Sequence, residues 1–354
     1  MTAPARTYWD ADRDEVLICR EIRDETHDVR TFVLSALEPR LFDYRPGQFM
    51  TFEIPVGGVT HSRCYTLASS PARPNLVSIT VKRVPGGPVS NWLHDHFQVG
   101  GRLNALGPMG EFVCDAQGER DLLFLSAGSG VTPLMSMARA HHDLCDRRDV
   151  VFVHSARSPV DVIFKEEVAL MARAAPSFRA ATICEDAGTG WNGFTGRLSL
   201  PMLSLIAPDF LQRDVYVCGP TGFMDAARTI LADAGFDMAR YHQESFVFEA
   251  LSPAEQQQAD GAAPSADRIF KVEFTQSRRT IDAPEDAFVL AAAKRAGMRL
   301  PSSCTQGVCG TCKSRLVSGE VKMTHAGGIR QREIDQGMIL LCCSRPVTDL
   351  VIER

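Results

Sequence analysis

The sequence predicts three globular domains in one chain: an antiparallel β-barrel or sandwich, a doubly wound α/β domain and a small C-terminal α+β domain. A chain of 354 residues is too long for one ordinary core and suits two or three. Short β-rich runs with Gly/Pro turns give way near residue 121 to alternating apolar runs and helical stretches. A segment poor in large apolar residues then precedes the C-terminal unit.

The first domain, residues 14–117, is predicted to contain only β-structure and connecting turns. The runs VLICREI, RTFVLSAL, QFMTFEIP and LVSITVKRV follow one another at short intervals, with Gly and Pro between them. Short strands at such spacing are typical of an antiparallel barrel or sandwich, and the spacing alone leaves both open.

The second domain, residues 118–249, alternates apolar runs such as LLFLSA, DVVFVHSA and DVYVCGP with helical stretches. Strand, helix and strand in that order predict a parallel sheet covered on both faces. Residues 250–267, rich in Ala, Gln, Pro and Asp, predict a flexible linker. Residues 268–354 then hold a strand, a proline-initiated helix over residues 284–297, a cysteine loop and a final strand pattern.

Composition weighs against several classes of protein. The formal net charge of −5 argues against nucleic acid as a partner. No apolar run approaches the ~20 residues that span a bilayer, and the polar N-terminus lacks the apolar centre of a secretory signal. Eleven cysteines, an odd number, fit a reducing compartment better than a disulfide scaffold. We therefore expect a cytoplasmic protein that binds neither nucleic acid nor a membrane.

The most specific local pattern is a cysteine constellation in the third domain. Cys304, Cys309 and Cys312 have C-x4-C-x2-C spacing, and the adjacent Cys342 and Cys343 follow later. This is the spacing of plant-type 2Fe–2S ligation. A zinc site is the main alternative, but it more often shows two short cysteine pairs. Neighbouring residues of an extended chain point to opposite sides, so only one of the last two can be the fourth ligand. The histidines form no comparable metal pattern and are expected to be surface or core residues.

Two segments of the first domain fit flavin binding when they are taken together. Residues 63–66 (RCYT) lie on a predicted strand, so Arg63 and Tyr65 share a face. A guanidinium there can hold a phosphate, and a phenol ring can stack on an isoalloxazine. Residues 86–90 (GGPVS) open a predicted helix whose N–H groups suit a pyrophosphate, which favours FAD but does not exclude FMN.

Three features of the second domain fit a nicotinamide dinucleotide. Residues 128–133 (GSGVTP) follow a predicted strand and begin a helix, the context that a dinucleotide-binding loop requires. Residues 218–220 (CGP) end another strand. Asp161 follows the second strand, where a carboxylate can bind the ribose diol and repel a 2′-phosphate. Arg157 favours the opposite, since a guanidinium can receive that phosphate. On balance we expect NADH.

In this order the motifs resemble those of ferredoxin–NADP reductase-like flavoproteins that carry a C-terminal plant-type ferredoxin domain. The resemblance extends over nearly the whole chain. It implies a β-barrel flavin domain, an α/β nicotinamide domain and a β-grasp 2Fe–2S domain. Within the family, the passages RCYTLASSP, VSNWLHDHF and GGIRQREIDQGMILLCCSRP are most similar to reductase components of glycine-betaine monooxygenases. The resemblance also implies Cys304, Cys309, Cys312 and Cys342 as cluster ligands, with Cys343 packed beside them.

Roles for other residues are also implied by the resemblance. Thr66 would lie near flavin N5, Cys218 would lie beside the nicotinamide ring, and Glu244 would close the site, so these three are the expected catalytic residues. The implied contacts to FAD and NADH are Arg63, Cys64, Tyr65, Thr66, Val81, Lys82, Gly87, Val89, Ser90, Gly128, Gly130, Thr132, Pro133, Asp161, Cys218, Gly219, Pro220 and Phe246.

The implied activity is NADH-dependent electron transfer through FAD and the 2Fe–2S cluster to a separate Rieske-type oxygenase component. The substrate of that partner would be glycine betaine, or a similar quaternary amine, undergoing N-demethylation. A hybrid-cluster protein or another oxygenase is the alternative acceptor, because the hybrid-cluster-protein reductase has the same domain order. A third hypothesis is a redox sensor or cluster carrier. It would not need the full hydride-transfer set, which comprises Arg63, Tyr65, Gly130, Thr132 and Cys218.

Overall fold

The structure is a computed structural model of the chain. It describes residues 7–10, 14, 16–114, 118–246, 268–298, 300, 302, 305, 307, 312–325, 329 and 331–354. The chain forms two compact units, residues 1–246 and 247–354. The predicted linker at residues 250–267 lies outside the described residues.

Six antiparallel strands and one helix form the N-terminal part of the first unit. The sheet order is β4-β3-β6-β1-β2-β5. Beyond the two edge strands, a bridge between Leu67 and Ile79 joins the end of β4 to β5, which closes the sheet into a barrel in place of an open sandwich. The elements are β1 Val16–Thr26, β2 Val29–Ala36, β3 Phe49–Val56, β4 Val59–Thr66, β5 Val77–Lys82, α1 Pro88–His96 and β6 Arg102–Met109.

The second part of the first unit is a six-stranded parallel sheet of order β10-β9-β8-β7-β11-β12. Alternate residues of its strands pack on opposite faces: Phe124 and Phe152 lie in one apolar cluster, and Leu125 and Val153 lie in another. Helices cover both faces, as predicted. The elements are β7 Leu122–Ala127, α2 Val131–Asp143, β8 Val150–Ala156, α3 Lys165–Ala174, β9 Phe178–Cys184, β10 Phe194–Thr195, α4 Leu200–Ile206, β11 Asp214–Gly219, α5 Thr221–Asp233 and β12 Tyr241–Ser245.

Helix α2 connects the barrel to the parallel sheet. Ser136 Oγ donates a hydrogen bond of 2.8 Å to the carbonyl of Ser69, and Arg139 Nη1 donates one of 2.6 Å to the carbonyl of Ala68. Both carbonyls follow the end of β4. The guanidinium of Arg139 also pairs with Glu167 on α3 at 2.6 Å. These bonds fix the end of β4 against the helix that begins at the glycine loop.

The second unit contains a five-stranded mixed sheet of order β14-β13-β19-β15-β17 and a separate two-stranded sheet of β16 and β18. Strands β13 and β19 are parallel, and the other pairs of the larger sheet are antiparallel. The elements are β13 Ile269–Phe274, β14 Arg279–Pro284, α6 Val289–Arg295, β15 Lys313–Ser318, β16 Val321–Met323, α7 Gln331–Asp335, β17 Met338–Leu340, β18 Ser344–Pro346 and β19 Leu350–Glu353.

The predicted start of the helix at Pro284 is wrong. Pro284 is the last residue of β14, where it pairs with Ile269, and helix α6 begins at Val289. Proline is tolerated at the first position of a helix, but it is equally tolerated at a strand end. Pairing with the distant strand β13 places Pro284 at a strand end, and this pairing cannot be predicted from the residues around Pro284 alone.

No helix in the described part of the chain combines the length and apolar character that crossing a bilayer requires.

Candidate functional site

Strand β4 carries the RCYT segment at the edge of the barrel. It pairs with β3 so that Tyr65 lies opposite Met50 and Thr66 opposite Phe49. Side chains alternate along a strand, so Arg63 and Tyr65 share a face, as predicted. The half-buried ring of Tyr65 lies 6.1 Å from that of Phe52, between ring centroids. A planar ring beside a guanidinium on one face of a strand suits an aromatic, phosphorylated ligand.

The hydroxyl of Thr66 is a buried group that lacks a partner. Its Oγ1 is fully enclosed and makes no hydrogen bond with any described residue. An unpaired buried hydroxyl costs about 1–3 kcal/mol, so such groups in proteins commonly serve a ligand. Thr66 ends β4, where the resemblance expects flavin N5, and a flavin atom there would supply the missing hydrogen bond. The residues present therefore fit a flavin.

The GGPVS segment forms a turn and the start of α1. Gly86 has φ +71°, a conformation that favours glycine. Ser90 Oγ accepts a 3.0 Å hydrogen bond from Val84 N, and Asn91 Nδ2 donates one of 2.7 Å to Gly87 O. The side chains thus hold the turn, and none of them caps the N–H groups of the first helical turn. Those groups remain available to a phosphate.

The remaining predicted flavin contacts lie in different surroundings. Val89 is buried in the first turn of α1. Val81 is buried on β5, and its carbonyl lies 2.9 Å from His94 Nε2. Cys64 Sγ lies 3.3 Å from Thr51 Oγ1, on the face of the sheet opposite to the core residues Met50 and Phe52. Lys82 Nζ lies 3.2 Å from Asp28 Oδ2. Val81 therefore packs in the barrel core, whereas Cys64 lies on the outer face of the sheet.

A row of polar residues crosses the parallel sheet near its carboxyl edge. Glu244 pairs with Cys218, Cys218 with Ser126, and Ser126 with His154. Two residues earlier, the corresponding row is aromatic and comprises His242, Tyr216, Phe124 and Phe152. The polar row lies where parallel sheets bind ligands, beyond the last apolar layer.

Burial controls the protonation of Cys218 and Glu244. Burial, with a further contribution from Glu244, raises the pKa of the Cys218 thiol, so the thiol stays neutral. Burial raises the pKa of Glu244 to about 8. Its Oε2 makes no hydrogen bond with any described residue. A protonated, unpaired carboxyl can donate a hydrogen bond to a ligand.

His154 belongs to this row, although the sequence analysis treated it as an ordinary core or surface residue. Its Nδ1 lies 2.9 Å from Ser126 Oγ, which donates to Val153 O at 3.1 Å. With the serine proton used in that bond, His154 Nδ1–H donates to Ser126 and Nε2 is left as an acceptor. Burial lowers the pKa of His154 to about 4, so the ring is neutral. Its Nε2 has no hydrogen-bond partner among the described residues.

The glycine loop lies directly against the CGP segment. Residues Gly128–Gly130 form one 3-10 turn between β7 and α2, and Gly128 has φ +53°. A Cβ atom at Gly130 would overlap the carbonyl group of Cys218 and lie 2.5 Å from Gly219 N. Gly219 is also crowded, since its Cβ would lie 2.9 Å from Phe223 Cδ1. Only a glycine at position 130 allows these two backbones to approach so closely.

Thr132 and Pro133 occupy the first turn of α2, and both are buried. Thr132 Oγ1 donates a 3.1 Å hydrogen bond to Ser129 O, which stabilises the loop. Pro220 precedes the first residue of α5. Phe246 follows β12 directly and is the last described residue of the first unit.

Asp161 lies in a 3-10 turn after β8, as the sequence predicts. Its Oδ2 accepts a 2.7 Å hydrogen bond from Ser158 Oγ, and its Oδ1 lies 3.7 Å from Arg157 Nη2. Asp28, from the β1–β2 turn of the barrel, lies 4.0 Å from the same Arg157 nitrogen. Asp28 is not predicted from the sequence, because no residue near it in the chain indicates a nucleotide site.

In the second unit, the described residues bring two of the four predicted ligands together. Cys312 and Cys342 are both buried, and Cys342 N–H donates a 3.4 Å hydrogen bond to Cys312 Sγ. Amide hydrogen bonds of this kind stabilise thiolate ligands. Cys304 and Cys309 lie outside the described residues. A buried thiol pair that receives an amide hydrogen bond has the donor chemistry of an iron–sulfur site.

Cys343 is buried in the turn between β17 and β18. Its Sγ lies 3.7 Å from Leu340 O. A Cβ atom at Gly307, which has φ +73°, would lie 2.8 Å from the same sulfur. The thiol thus fills the space beside the glycine of the cysteine loop.

Comparison with known proteins covers all three domains. An oxidoreductase FAD-binding domain matches residues 17–114, an oxidoreductase NAD-binding domain matches residues 124–229, and a 2Fe-2S iron-sulfur cluster binding domain matches residues 272–347. The chain therefore contains FAD, NAD and 2Fe–2S domains, as predicted.

Two curated relatives match almost end to end. The chain is 44% identical to the glycine betaine monooxygenase reductase subunit of Pseudomonas aeruginosa, over 99% of this chain and 98% of the relative. It is 39% identical to the stachydrine N-demethylase reductase subunit of Rhizobium meliloti, over 96% of each. Among solved structures, phthalate dioxygenase reductase aligns with a TM-score of 0.61 and 25% identity, covering 97% of this chain and 98% of that one.

These relatives are reductase subunits of a glycine betaine monooxygenase and of a stachydrine N-demethylase. The chain belongs to the family of ferredoxin–NADP reductase-like oxidoreductases with a C-terminal 2Fe–2S domain that includes the glycine betaine monooxygenase reductase subunits.

Proposed function

We propose that this protein passes electrons from NADH through FAD and its 2Fe–2S cluster to a Rieske-type oxygenase that demethylates glycine betaine or a similar quaternary amine. Bound FAD accepts an electron pair as hydride and releases electrons singly, which suits a cluster that takes one at a time. The names of the relatives at 39% and 44% identity support the oxygenase and its class of substrate.

The proposal is carried by two of the unpartnered buried groups in the described part of the first unit, Thr66 Oγ1 and Glu244 Oε2. Thr66 offers a hydroxyl at the predicted flavin N5 position. Glu244, protonated below a pKa of about 8, offers a donor beside Cys218 at the carboxyl edge of the sheet. Neither group has a structural purpose within the described residues, so we assign both to ligand contact.

In this proposal Cys218 helps to shape the nicotinamide site and does not react with the cofactor. Its thiol is buried and its pKa is raised, so it is a poor nucleophile. Its carbonyl group and Gly219 N lie against Gly130, and we assign the nicotinamide ring to the site beside this close backbone contact. Thr132 holds the loop that contains Gly130.

For the cluster we propose Cys304, Cys309, Cys312 and Cys342 as ligands. The amide hydrogen bond from Cys342 to Cys312 supports the last two. Asp161 would bind the ribose diol of NADH. The odd cysteine count also favours a cytoplasmic location.

Reconstitution with a candidate betaine oxygenase tests the function. We expect NADH consumption and demethylated product only when reductase, oxygenase and substrate are all present. Replacing Cys312 with Ser should abolish product formation while NADH-dependent reduction of ferricyanide, which can take electrons from the flavin, continues. Product formation by the cluster-free variant would contradict the proposed path. Coupling to a hybrid-cluster protein, and to no oxygenase, would favour the alternative acceptor.

A further inference from the structure

Arg157 lies between two carboxylates that come from different parts of the first unit. Its Nη2 is 3.7 Å from Asp161 Oδ1 and 4.0 Å from Asp28 Oδ2. Asp161 belongs to the parallel-sheet part, whereas Asp28 lies in the turn between β1 and β2 of the barrel. The guanidinium is 69% exposed, but the carboxylates are only 17% (Asp28) and 11% (Asp161) exposed. An exposed cation therefore lies between two largely buried anions.

Both carboxylates are held in place by hydroxyl groups. Thr26 Oγ1 donates a 2.9 Å hydrogen bond to Asp28 Oδ1, and Ser158 Oγ donates one of 2.7 Å to Asp161 Oδ2. Lys82 Nζ lies 3.2 Å from Asp28 Oδ2. Desolvation acts to raise the pKa of Asp28, but the Thr26 hydrogen bond and the Lys82 ammonium outweigh it and lower that pKa. Asp28 is thus ionised at neutral pH.

The charges in this cluster cancel. With His27, whose Nε2 lies 4.0 Å from Asp28 Oδ2, counted as neutral, Arg157 and Lys82 supply two positive charges, and Asp28 and Asp161 supply two negative ones. NADPH differs from NADH by a 2′-phosphate, for which an arginine guanidinium is the usual partner. A guanidinium already paired with two carboxylates has no uncompensated charge to offer that phosphate.

We propose that Asp28 is a specificity-determining residue, which pairs with Arg157 from the barrel side and so withholds it from the 2′-phosphate of NADPH. This inference rests on the proposed NADH-dependent function, in which Asp161 binds the ribose. The two carboxylates then have separate tasks. Asp161 recognises the diol of NADH, and Asp28 neutralises Arg157, whose guanidinium would otherwise favour NADPH.

The size of the effect follows from the exposure of Arg157. Ion pairs at an exposed guanidinium are weakened by water and salt, so the expected change is several-fold and not thousand-fold. Removal of Asp28 leaves the cluster with one net positive charge and Arg157 with one carboxylate in place of two. Preference for the phosphorylated dinucleotide should rise, and it should rise most at low ionic strength.

The test is equilibrium binding of NAD⁺ and NADP⁺ to the flavin-loaded full chain by titration calorimetry. The variant Asp28→Asn keeps the side-chain shape and an acceptor for Thr26. We expect the ratio of NADP⁺ to NAD⁺ affinity to rise about three- to fivefold. Asp24→Asn is the matched control. Asp24 lies on the same hairpin, pairs with Arg30 at 2.7 Å and is 72% exposed, and its loss should leave the ratio within about twofold.

A second substitution assigns the effect to Arg157. Arg157→Met removes the guanidinium and keeps an apolar stem, so adding it to Asp28→Asn should return the ratio to near the wild-type value. Three results would overturn the inference: an unchanged ratio in Asp28→Asn, an equal rise in Asp24→Asn, or a rise that persists without Arg157. If Asp28→Asn loses flavin, Asp28→Ser provides the same comparison.

Binding of the two dinucleotides to the wild-type protein separates a failure of the proposed function from a failure of the role of Asp28. A wild-type protein that binds NADP⁺ more tightly than NAD⁺ would contradict the NADH assignment before any variant is made. A wild-type preference for NAD⁺ with no response to Asp28→Asn would contradict only the role of Asp28.

Discussion

Gly130 lies so close to Cys218 that a Cβ atom on the glycine would overlap the carbonyl group of the cysteine. The two residues are far apart in the chain, yet they bring the glycine loop and the CGP segment into one surface. In the proposed function this surface receives the nicotinamide ring. A displacement of the surface backbone by a fraction of an ångström should therefore disturb binding of the ring.

Gly130→Ala should therefore impair use of NADH. The added methyl group must push apart two backbones, which are less compliant than side chains. We expect kcat/KM for NADH to fall at least about tenfold while the flavin stays bound, measured by dye reduction. Gly222→Ala on α5, where a Cβ meets nothing within 4 Å, is the control and should leave kcat/KM unchanged. Equal behaviour of the two variants would contradict the steric argument.

Thr66→Val tests the unpartnered hydroxyl. Valine has nearly the same shape but cannot hydrogen-bond, so the apoprotein should gain stability of about 1 kcal/mol while flavin reduction by NADH slows about tenfold or more. Thr66→Ser keeps the hydroxyl and should recover most of the rate. Stopped-flow absorbance of the flavin gives the rates, and chemical denaturation of the apoprotein gives the stabilities. A Val variant that matches wild type in rate would rule out a flavin contact for Thr66.

Glu244 should make stability fall as the pH rises. Its pKa is raised from 4.5 to about 8, so between these values the folded protein binds a proton that the unfolded chain has released. The protonated state stabilises the fold at low pH, and that contribution, at most about 5 kcal/mol, is lost as the pH approaches 8. Glu244→Gln should remove this slope and be more stable than wild type at pH 8. Thermal unfolding of both proteins between pH 5 and 8 provides the measurement, and parallel curves would contradict the assignment.

His154 should make stability fall as the pH drops, which is opposite to the effect of Glu244. Its pKa is lowered from 6.5 to about 4, so between these values the unfolded chain binds a proton that the folded protein excludes. Stability should fall by roughly 3 kcal/mol as the pH drops through this window. His154→Gln should flatten the fall, whereas His96→Gln, at an exposed position on α1, should retain it. Identical acid unfolding of the two variants would show that His154 is not the responsible group.

Cys342→Ser and Cys343→Ser separate the two adjacent thiols. The proposed ligand set predicts loss of the cluster absorbance in the first variant and its retention in the second, with flavin content unchanged in both. Iron and sulfide analysis gives the result directly. Cluster loss only in Cys343→Ser would exchange their roles.

Much of the site could be predicted because its motifs determine their own backbone. The glycine loop lies between β7 and α2, the CGP segment ends β11, and the RCYT segment ends β4, as the sequence indicates. Each position follows from local turn chemistry and strand periodicity. Such local patterns can be recognised without knowledge of the rest of the chain.

The features that could not be predicted depend on contacts between distant residues. Closure of the barrel rests on pairing between Leu67 and Ile79, and Pro284 joins a strand because Ile269 lies opposite. Ser126 and His154 become a polar pair only when β7 and β8 align in register. Single polar residues at the ends of apolar strands were the signal available, and they do not reveal their partners.

The most direct test of the central claim is anaerobic titration of the purified full chain with NADH, followed by visible absorbance and electron paramagnetic resonance. The account predicts that FAD is bleached first and that the signal of a reduced 2Fe–2S cluster follows, with roughly 1.5 equivalents of NADH needed for full reduction. In Cys312→Ser the flavin should still bleach, without the cluster signal. A protein that contains zinc in place of iron and sulfide, or a cluster that stays oxidised while the flavin is fully reduced, would contradict it.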